Sequence, residues 1–358
     1  MIYKPLVLKW RPRCFNDLIG QDHIVNAFTN AFNLNKIHYA YIFSGSYGIG
    51  KTTIARLLAK SLNCINNSIN ICDTCDACIE IQNNCFIDLI EIDAASSSGI
   101  DNIKELIENA QYFPVKGKFK IYLIDEVHML SRSSFNALLK ILEEPPSHIK
   151  FLLATTEYNK IPKVITSRCL HFNLLKINNS KIILYLKTIL TKEQISFDEQ
   201  AIIYITNVAN GSLRDALNLT DQAIVFGKGK IILNIVVNML GIVDINQLIL
   251  IIELIISNNT DQLINTINNI STNNINWEKF LTDILLILHD ILLIKTLSNY
   301  NSNYNKNILF RLNNISKLLS INIIKKYIDL VLNGYKELLI VDNKKLIIEI
   351  TLLKLINY

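Results

Sequence analysis

A run of residues near the start of the chain has the composition and spacing of a phosphate-binding loop. It reads Gly45, Ser46, Tyr47, Gly48, Ile49, Gly50, Lys51 and Thr52, which satisfies the G-x-x-x-x-G-K-S/T pattern in full. The glycines let the backbone fold around a polyphosphate, with N–H groups pointing inward at the positive end of the next helix. Lys51 would reach the β- and γ-phosphates of ATP, and the Thr52 hydroxyl would ligate Mg²⁺. The alternative is a glycine-rich turn without function, and the strand and helix patterns on either side argue against it.

Two adjacent carboxylates provide the second half of the same expected site. Asp125 and Glu126 follow the apolar run Ile121–Ile124, so a strand would carry them to its carboxyl end, where open parallel sheets bind ligands. Asp125 would hold the Mg²⁺, and Glu126 would orient and polarise the water that attacks the γ-phosphate. An exposed acidic turn is the alternative for an isolated pair, but this pair follows a phosphate-binding loop in one α/β unit.

Four of the seven cysteines cluster after the expected phosphate-loop helix; they are Cys64, Cys72, Cys75 and Cys78. Thiolates in C-x-x-C spacing can share a tetrahedral Zn²⁺, and an odd total suits a metal site better than a disulfide framework. An iron–sulfur cluster uses similar spacing, but normally with a further cysteine and a proline soon afterwards, which are missing here. On spacing alone Cys85 competes with Cys64 as fourth ligand, and reduced thiols in a loop are a further alternative. We expect Cys14 and Cys169 to be non-ligands.

These side chains would be positioned by short apolar runs that alternate with helical patterns. Strand candidates are Tyr39–Phe43, Asp88–Ile92, Lys120–Ile124, Phe151–Thr155 and Leu170–Phe172. Helix candidates lie near Lys51–Leu62, Ile100–Ala110 and Ser133–Glu143. Strands separated by helices predict an α/β fold with a parallel sheet covered by helices. After Leu174 the strand-like runs vanish, and long segments rich in isoleucine and leucine predict an all-α remainder.

Length and composition predict more than one domain. A chain of 358 residues exceeds one ordinary core, and its 50% hydrophobic residues provide ample material for packed interiors. We expect a P-loop domain over residues 1–177 with the cysteine insertion at 64–78, a small helical domain over 178–240, and a second helical domain over 241–358. The net charge of +5 tolerates a polyanionic partner without demanding one.

Neither a secretory signal nor a membrane span is expected. The first thirteen residues mix cations and prolines with single apolar residues, so they lack the apolar core of a signal peptide. The longest apolar run, Phe280–Leu297, is interrupted by Asp283, His289, Asp290 and Lys295. A membrane span needs about 18 or more nearly uncharged residues. We therefore expect a cytoplasmic protein that does not contact a membrane.

Several longer stretches closely resemble bacterial DNA polymerase III gamma/tau subunits, the AAA+ ATPases of the sliding-clamp loader. The matching stretches are Trp10–Pro12, Gly20–Gln21, Leu123–Leu130, Ser133–Lys140, Leu142–Pro146, Phe151–Thr156 and Ser167–Cys169. The resemblance runs from about Lys9 to Gly241, and the rest is compatible with the family's helical oligomerisation collar. It implies an AAA+ ATPase domain, a helical lid and an all-α collar. Since the sequence ends at Tyr358 without a polar linker and tail, we expect a short, gamma-like form.

The resemblance implies roles for three residues that the motifs leave unassigned. Thr156 matches the sensor that couples the γ-phosphate to the DEVH box. Arg214 matches the second sensor, which reaches the nucleotide from the lid. Arg168 matches the arginine finger, which the family inserts into the neighbouring subunit's site, where a guanidinium stabilises charge developing on phosphoryl oxygens. Arg11 falls in the matching N-terminal stretch and is expected to contact the nucleotide.

The resemblance also bears on the metal and the partners. The family places four zinc ligands at the positions of the cysteine cluster, which selects Cys64 over Cys85. It implies a ring with other clamp-loader subunits, a sliding clamp and primer–template DNA. A non-hydrolysing structural subunit of the same ring is one alternative, and the intact P-loop and acids argue against it. Another AAA+ DNA motor is the second alternative, and it would not predict the cysteine insertion.

One segment departs from the family pattern. Where relatives carry basic residues facing the DNA, this chain has Ser97, Ser98 and Gly99, and only Lys104 is positively charged in the following helix pattern. We therefore expect the electrostatic part of DNA binding to be weaker than in relatives, with a flatter salt dependence.

Overall fold

The computed structural model describes residues 4–96, 105, 108–271, 275–297 and 306–356. Contacts between residues divide the chain into two compact units, Met1–Ile231 and Ile232–Tyr358. The domain boundaries expected from the sequence, after residues 177 and 240, stay predictions. Most of the expected helix Ile100–Ala110 lies outside the described residues, as do the serine-rich segment at 97–99 and Lys104.

A sheet of five parallel strands is the centre of the first unit. The strands are β1 (Ala40–Ser44), β2 (Leu89–Asp93), β3 (Lys120–Asp125), β4 (Ile149–Thr155) and β5 (Leu170–Asn173). They lie in the order β2-β3-β4-β1-β5, and every neighbouring pair is parallel. The α/β prediction is confirmed, and each predicted strand is present with ends displaced by two residues or fewer.

The sheet is buried on both faces, as expected for parallel strands. Every residue of β1 and β4 is buried. On one face Phe28 packs against Tyr41 of β1, with ring centroids 5.6 Å apart, and on the other Tyr122 of β3 stacks on Phe151 of β4. Since the aligned register pairs Ser44 with Thr155, the carboxyl ends of β1 and β4 reach one edge together. The functional side chains gather at that edge.

Helices cover the sheet and continue beyond it. Those of the α/β part are Leu6–Lys9, Asp22–Asn33, Lys51–Asn63, Asp76–Gln82, Arg132–Glu143 and Lys163–Thr166, with 3-10 turns at Phe15–Asp17, Val127–Met129 and Tyr158–Lys160. Three more helices complete the first unit: Asn179–Lys192, Glu199–Ala209 and Leu213–Phe226. A helix that the sequence analysis did not predict, Asp76–Gln82, begins within the cysteine insertion. Asp76 lies in that helix's first turn, where a negative charge is favourable, and Ile81 is buried.

The N-terminal segment contacts two of these last three helices, near the end of Asn179–Lys192 and on Leu213–Phe226. The indole Nε1 of Trp10 donates to Glu193 Oε1 at 2.8 Å, and Lys9 Nζ lies 2.6 Å from Glu193 Oε2. The backbone N–H of Leu6 donates to Asp221 Oδ2 at 2.8 Å. Residues next to Arg11 are therefore held by the helical part of the unit.

The second unit is helical in its described part, as the sequence predicted. Its helices are Leu233–Leu240, Ile245–Ile256, Thr260–Ser271, Trp277–Thr296, Lys306–Leu318, Ile321–Leu338 and Lys344–Ile356. At Gly334 the last two of these approach closely, since a Cβ there would lie 2.4 Å from Thr351 Oγ1. Among the described residues no single helix has the length and apolar character to cross a membrane. The bent pair Leu233–Leu240 and Ile245–Ile256 meets those criteria only by combined length and composition.

Candidate nucleotide and metal sites

The phosphate-binding loop connects the end of β1 to helix Lys51–Asn63, where its pattern placed it. Gly50 is the residue before the helix and has a φ of 103°, in the left-handed region that glycine adopts at least cost. Gly48 also has a positive φ of 75°, and a Cβ there would lie 2.1 Å from Ser212 Oγ. Glycine at position 48 therefore lets the loop approach the start of helix Leu213–Phe226.

Lys51 is buried inside this loop. Its side chain is 5% exposed, and Nζ donates to the carbonyl oxygens of Gly45 and Ser46, both at 3.1 Å. The Nζ atom also lies 3.9 Å from Glu126 Oε1. Burial lowers the pKa of Lys51, while the carboxylates of Glu126 and Asp125 raise it. The ammonium group is therefore held where the loop's N–H groups would surround a phosphate.

Thr52 and Asp125 meet across the edge of the sheet. The hydroxyl of Thr52 donates to Asp125 Oδ2 at 2.7 Å, and the other carboxylate oxygen accepts from the backbone N–H of Glu126 at 3.0 Å. A hydroxyl and a carboxylate in contact offer the oxygen ligands that Mg²⁺ prefers. The two residues predicted to share the metal shell are thus neighbours.

Glu126 is oriented by the residue that follows β4. Its backbone adopts a φ of 46°, which turns the chain sharply at the end of β3. Its Oε2 accepts from the Thr156 backbone N–H at 3.0 Å and from the Thr156 hydroxyl at 2.9 Å. Thr156 directly follows β4, which ends at Thr155 as the predicted strand does. The carboxylate expected to polarise water is therefore fixed by two donors from one residue.

His128 is a neighbour that sequence reasoning left without a role. Its Nδ1 lies 3.0 Å from Thr155 Oγ1 and 3.3 Å from Glu126 Oε2, and its Nε2 lies 3.6 Å from Glu157 Oε1. The available signal was its position two residues after Glu126, on the turn that leaves the strand. Its ring joins the ends of β3 and β4.

Arg214 reaches the loop from the helical part of the first unit. Its backbone N–H donates to the Gly48 carbonyl at 3.2 Å, and its guanidinium lies 5.2 Å from the centre of the Tyr47 ring. Ser212 caps the helix that begins at Leu213 by accepting from Asp215 N–H. The cation–π contact and the backbone bond place Arg214 beside the phosphate-binding loop.

Arg11 also lies near this site. The pKa of its guanidinium falls to about 10, first because of burial and then because of Arg56, with a smaller contribution from Arg214. Glu91 and Asp125 oppose this decrease. Asp125 and Arg214 are therefore among the charged groups near Arg11.

Arg168 lies apart from this group. It follows the short helix Lys163–Thr166 and donates to Glu143 Oε1 at 2.8 Å and to the Val164 carbonyl at 3.0 Å. In the described part of the chain, none of its hydrogen bonds involves the phosphate-binding loop. Its guanidinium is partly exposed, with a side-chain exposure of 31%.

The four clustered cysteines meet in space. The sulfur atoms of Cys64, Cys72, Cys75 and Cys78 all lie within 4.8 Å of one another. The Sγ of Cys72 lies 3.5 Å from that of Cys64 and 3.9 Å from that of Cys78. A tetrahedral zinc site with Zn–S bonds of 2.3 Å has sulfur atoms about 3.8 Å apart. The donor set therefore fits one tetrahedral, thiophilic metal ion.

The environment of the cluster separates its members from the other cysteines. Backbone N–H donors from Thr74 and Cys75 lower the pKa of Cys72 to about 6, whereas burial raises the pKa of Cys78. Cys85 is exposed and its sulfur donates to the Glu80 carbonyl at 3.5 Å, outside the cluster. The structure thus groups Cys64 with the other three.

A buried lysine ties the cluster to the phosphate-loop helix, and sequence reasoning missed it. Lys60 is 3% exposed, forms an ion pair with Asp73, and donates to the Arg13 carbonyl at 3.2 Å. The available signal was a lysine within the largely apolar stretch 57–62 of helix Lys51–Asn63. Lys60 thereby joins three segments: the helix, the cysteine insertion and the N-terminal segment.

Three protein-family models match the chain in succession. Residues 20–178 match a model described as DNA polymerase III, delta subunit. Residues 181–229 match the ATPase lid domain of the DNA polymerase III clamp loader subunit. Residues 231–358 match domain III of DNA polymerase III subunits gamma and tau. Together the three models cover most of the sequence.

Individual relatives agree with this order. DNA polymerase III subunit gamma of Buchnera aphidicola subsp. Baizongia pistaciae is 47% identical, and the alignment covers 100% of this chain and 98% of that protein. DNA polymerase III subunit tau of Escherichia coli K12 is 43% identical over 100% of this chain, which spans 56% of the longer protein.

Solved structures give a more distant match. The Thermotoga maritima RuvB Holliday junction branch migration motor is 18% identical, with a TM-score of 0.48 over 69% of this chain and 79% of its own. A match this remote adds nothing to the assignment. The full-length sequence matches and the three consecutive domain models suffice: the chain belongs to the family of DNA polymerase III gamma and tau subunits, the AAA+ ATPase subunits of the clamp loader.

Proposed function

We propose that this chain binds ATP with Mg²⁺ at the phosphate-binding loop and hydrolyses it to drive loading of a sliding clamp onto primed DNA. The observation that supports it best is the continuous set of contacts from Thr52 through Asp125 and Glu126 to Thr156, beside the buried Lys51. These contacts bring a lysine ammonium group, hydroxyl and carboxylate oxygens and a second, oriented carboxylate together at one edge of the sheet, which supports the proposal.

In the proposed reaction, water attacks the γ-phosphorus and ADP leaves. Mg²⁺, when bound, would neutralise charge on the β- and γ-phosphate oxygens. Lys51 would pair with the same phosphates, and Thr52 and Asp125 would hold the metal. Glu126 orients the water and accepts its proton, while Thr156 fixes the direction of that carboxylate. These assignments rest on the contacts described above and on family membership.

The three arginines have different proposed tasks. Arg214 and Arg11 contact the nucleotide within the same chain, because both lie near Asp125 or the phosphate-binding loop. Arg168, which lies apart, acts as an arginine finger on ATP bound by the neighbouring subunit. In this proposal each chain contributes Arg168 to the ATP site of one neighbour, and another neighbour contributes its arginine to the ATP site of this chain.

The cysteine cluster is proposed to hold one structural Zn²⁺. Four thiolates leave no open coordination position, so the ion would fix the fold of the insertion rather than take part in hydrolysis. The segment 64–78 would then be a rigid extension of the phosphate-loop helix. The close approach of the four sulfurs supports this role.

The proposed partners follow from the family. The chain would form a ring with other clamp-loader subunits, and that ring would grip a sliding clamp and primer–template DNA in the cytoplasm. The all-α second unit would form the collar of the ring.

Two substitutions test the nucleotide site because they separate binding from chemistry. Lys51→Ala should weaken ATP binding by at least about 100-fold, since it removes the charge that pairs with two phosphates. Glu126→Gln should bind ATP as well as the unmodified chain and lose turnover by about 10²–10³-fold, by analogy with removing one group that acts in the transition state. Equilibrium titration with a fluorescent ATP analogue and steady-state phosphate release measure the two quantities.

Glu144→Gln serves as the matched control, because Glu144 is an exposed acid outside the site. It should change neither quantity. Equal loss of ATP binding in Lys51→Ala and Glu126→Gln would contradict the separate roles, and turnover by Glu126→Gln at the unmodified rate would remove Glu126 from the chemistry.

A further inference from the structure

A cavity of about 260 Å³ lies between the N-terminal segment and the outer face of the phosphate-loop helix. We call it the basic cavity. Its lining residues are Lys4, Leu8, Arg11, Pro12, Arg13, Thr53, Arg56, Leu57, Lys60, Ile81, Gln82 and Asn84. It contains five cations and no acid, which sets it apart from an ordinary surface groove.

The cations of the basic cavity are only partly neutralised. Arg56 forms an ion pair with Glu91, and Lys60 forms one with Asp73. The other three cations, at positions 4, 11 and 13, have no acidic partner in the described part of the chain. The Nε atom of Arg56 is buried and lacks a hydrogen-bond acceptor there. The cavity therefore has an excess of positive charge and at least one donor without a partner.

Burial beside like charges lowers the pKa of one member. The pKa of Arg11 falls to about 10 because of burial and of the neighbouring Arg56. A bound anion would reverse both contributions, since it would neutralise the repulsion and replace the lost hydration. The electrostatic cost of holding these groups together would then become binding free energy for an anion.

The basic cavity is adjacent to the nucleotide site but distinct from it. None of the residues of the phosphate-binding loop, 45–52, lines it; its residues on that helix begin at Thr53 and continue through Arg56 to Lys60. Arg11 is the exception, since it lines the cavity and also lies near Asp125. Ligand pockets for drug-sized molecules usually measure about 300–1,000 Å³, so a cavity of this size suits one or two phosphate groups better than a second nucleotide.

We infer that the basic cavity is an anion site for linked phosphate groups, supplied either as a free oligophosphate or by the backbone of a nucleic acid strand. Guanidinium groups match phosphate oxygens through paired N–H donors, and Arg11, Arg13 and Arg56 provide three of them around one space. This inference goes beyond the proposed ATPase function, because it concerns a second phosphate-binding site that shares only Arg11 with the proposed ATP site.

The test uses the full chain carrying Lys51→Ala, so that the phosphate-binding loop contributes little. Binding of inorganic pyrophosphate to this chain is measured by calorimetric titration. The measurement is then repeated on a chain that carries both Lys51→Ala and Arg13→Gln. Arg13 is exposed and its side chain has no partner in the described part of the chain, so the substitution should leave the fold intact. Pyrophosphate should still bind to Lys51→Ala, and Arg13→Gln should weaken that binding about tenfold, the size of one charge-assisted contact.

Lys36→Gln in the same background is the control, since it removes one exposed cation away from the cavity. It should leave pyrophosphate affinity unchanged. No pyrophosphate binding in Lys51→Ala, or equal effects of the Arg13 and Lys36 substitutions, would overturn the inference. Unchanged thermal unfolding of Arg13→Gln would exclude misfolding as the cause of a loss.

A second arm identifies the source of the phosphate. A short single-stranded oligonucleotide is added to the pyrophosphate-saturated chain at low salt. Displacement that depends on Arg13 supports a nucleic acid strand as the natural ligand, whereas retention of pyrophosphate supports a free oligophosphate. ATP binding by the chain with Lys51 intact is measured in parallel, so failure of the proposed ATPase site and failure of the basic cavity give different results.

Discussion

The proposed nucleotide site and the cysteine cluster differ in how far apart their residues lie in the sequence. The cysteine cluster gathers its four sulfurs from residues 64–78, a short continuous segment. The nucleotide site draws on residues 45–52, Asp125, Thr156 and Arg214, which only the sheet and the adjacent helices bring together. The proposed metal would fix the geometry of the first site, whereas the geometry of the second depends on the packed core.

Because the two sites are built differently, a substitution that disrupts one should leave the other intact, unless a residue connects them. Lys60 is such a connection, because it belongs to the phosphate-loop helix and pairs with Asp73, which lies between two of the cysteines. Arg168 extends the comparison further, since its proposed target is on another chain. The cysteine cluster, the nucleotide site and the proposed contact of Arg168 with another chain can therefore be tested separately.

The largest expected effect concerns the interchain contact. Arg168→Ala should lower ATP turnover of the assembled ring by about 10³-fold, because an arginine finger contributes at least that much in related phosphoryl transfers. ATP affinity should change little. Mixing Arg168→Ala chains with Lys51→Ala chains should recover part of the turnover, since some sites then have an intact loop beside an intact finger. Phosphate release from rings of verified composition measures it.

Lys163→Ala is the control for that experiment, as it removes an exposed cation from the adjacent short helix. It should leave turnover unchanged. If correctly assembled mixed rings recover no ATP turnover, Arg168 does not act between chains. The comparison would then be limited to the nucleotide site and the cysteine cluster.

The next effect tests independence of the local site. Cys78→Ser should reduce bound zinc from about one ion per chain to nearly none, because a structural site needs all four ligands. The segment 64–78 should become sensitive to proteases. ATP affinity should stay within about threefold, since the sheet that supports the loop does not include the insertion. Metal analysis and ATP titration on the same sample give both values.

Cys85→Ser is the control, because it removes a thiol that lies outside the cluster. This variant should retain zinc and protease resistance. Iron in place of zinc in the purified chain would refute the metal assignment. A large loss of ATP affinity in Cys78→Ser would show that the contact through Lys60 makes the two sites dependent.

A smaller effect is expected within the intrachain site. Thr156→Val removes the hydroxyl that donates to Glu126 while leaving the backbone donor. One hydrogen bond to a charged acceptor contributes about 1.5–3 kcal/mol, so turnover should fall at least about 10-fold with little change in ATP affinity. Thr166→Val is the matched control, because in the described part of the chain the Thr166 hydroxyl bonds only to the Lys163 carbonyl. A fall in affinity equal to that in turnover would mean that Thr156 contributes to binding and not to orientation.

The smallest effect is pH-dependent. Hydrogen bonds from Lys9 and Trp10 hold the pKa of Glu193 below its ordinary value of 4.5. A carboxylate with a lowered pKa in the folded state stabilises it above the unfolded pKa, and this contribution is lost as pH falls through the folded pKa. Glu193→Gln should therefore lower stability by about 1 kcal/mol at pH 7, and the difference should shrink below pH 4.5. Urea midpoints across this range measure it, and a difference independent of pH would contradict the assignment.

The sequence predicted the strands well because each is a short apolar run bounded by turn residues. Asp125 and Glu126 could be placed at the sheet edge for the same reason, since they end such a run. The helix Asp76–Gln82 was missed because the cysteine spacing dominated the interpretation of that segment. Each of these outcomes depended on a pattern of only a few consecutive residues.

Contacts between distant segments could not be predicted. The bond between Thr156 and Glu126 and the ion pair between Lys60 and Asp73 depend on how helices and strands pack, which local patterns do not contain. The basic cavity was missed for the same reason, because its cations come from the N-terminal segment and the phosphate-loop helix. Only their combined positions reveal an excess of charge.

The backbone bond between Arg214 and Gly48 has a mechanical consequence. Helix Leu213–Phe226 begins at this attachment and has 14 residues. At 1.5 Å per residue it extends about 21 Å, so a rotation of about 10° at Gly48 would sweep its far end through about 4 Å. The exposed side chains of Val225 and Phe226 lie at that end. A rotation of the loop around a bound phosphate would therefore move Val225 and Phe226 much further than it moves Gly48, because the helix length multiplies the displacement.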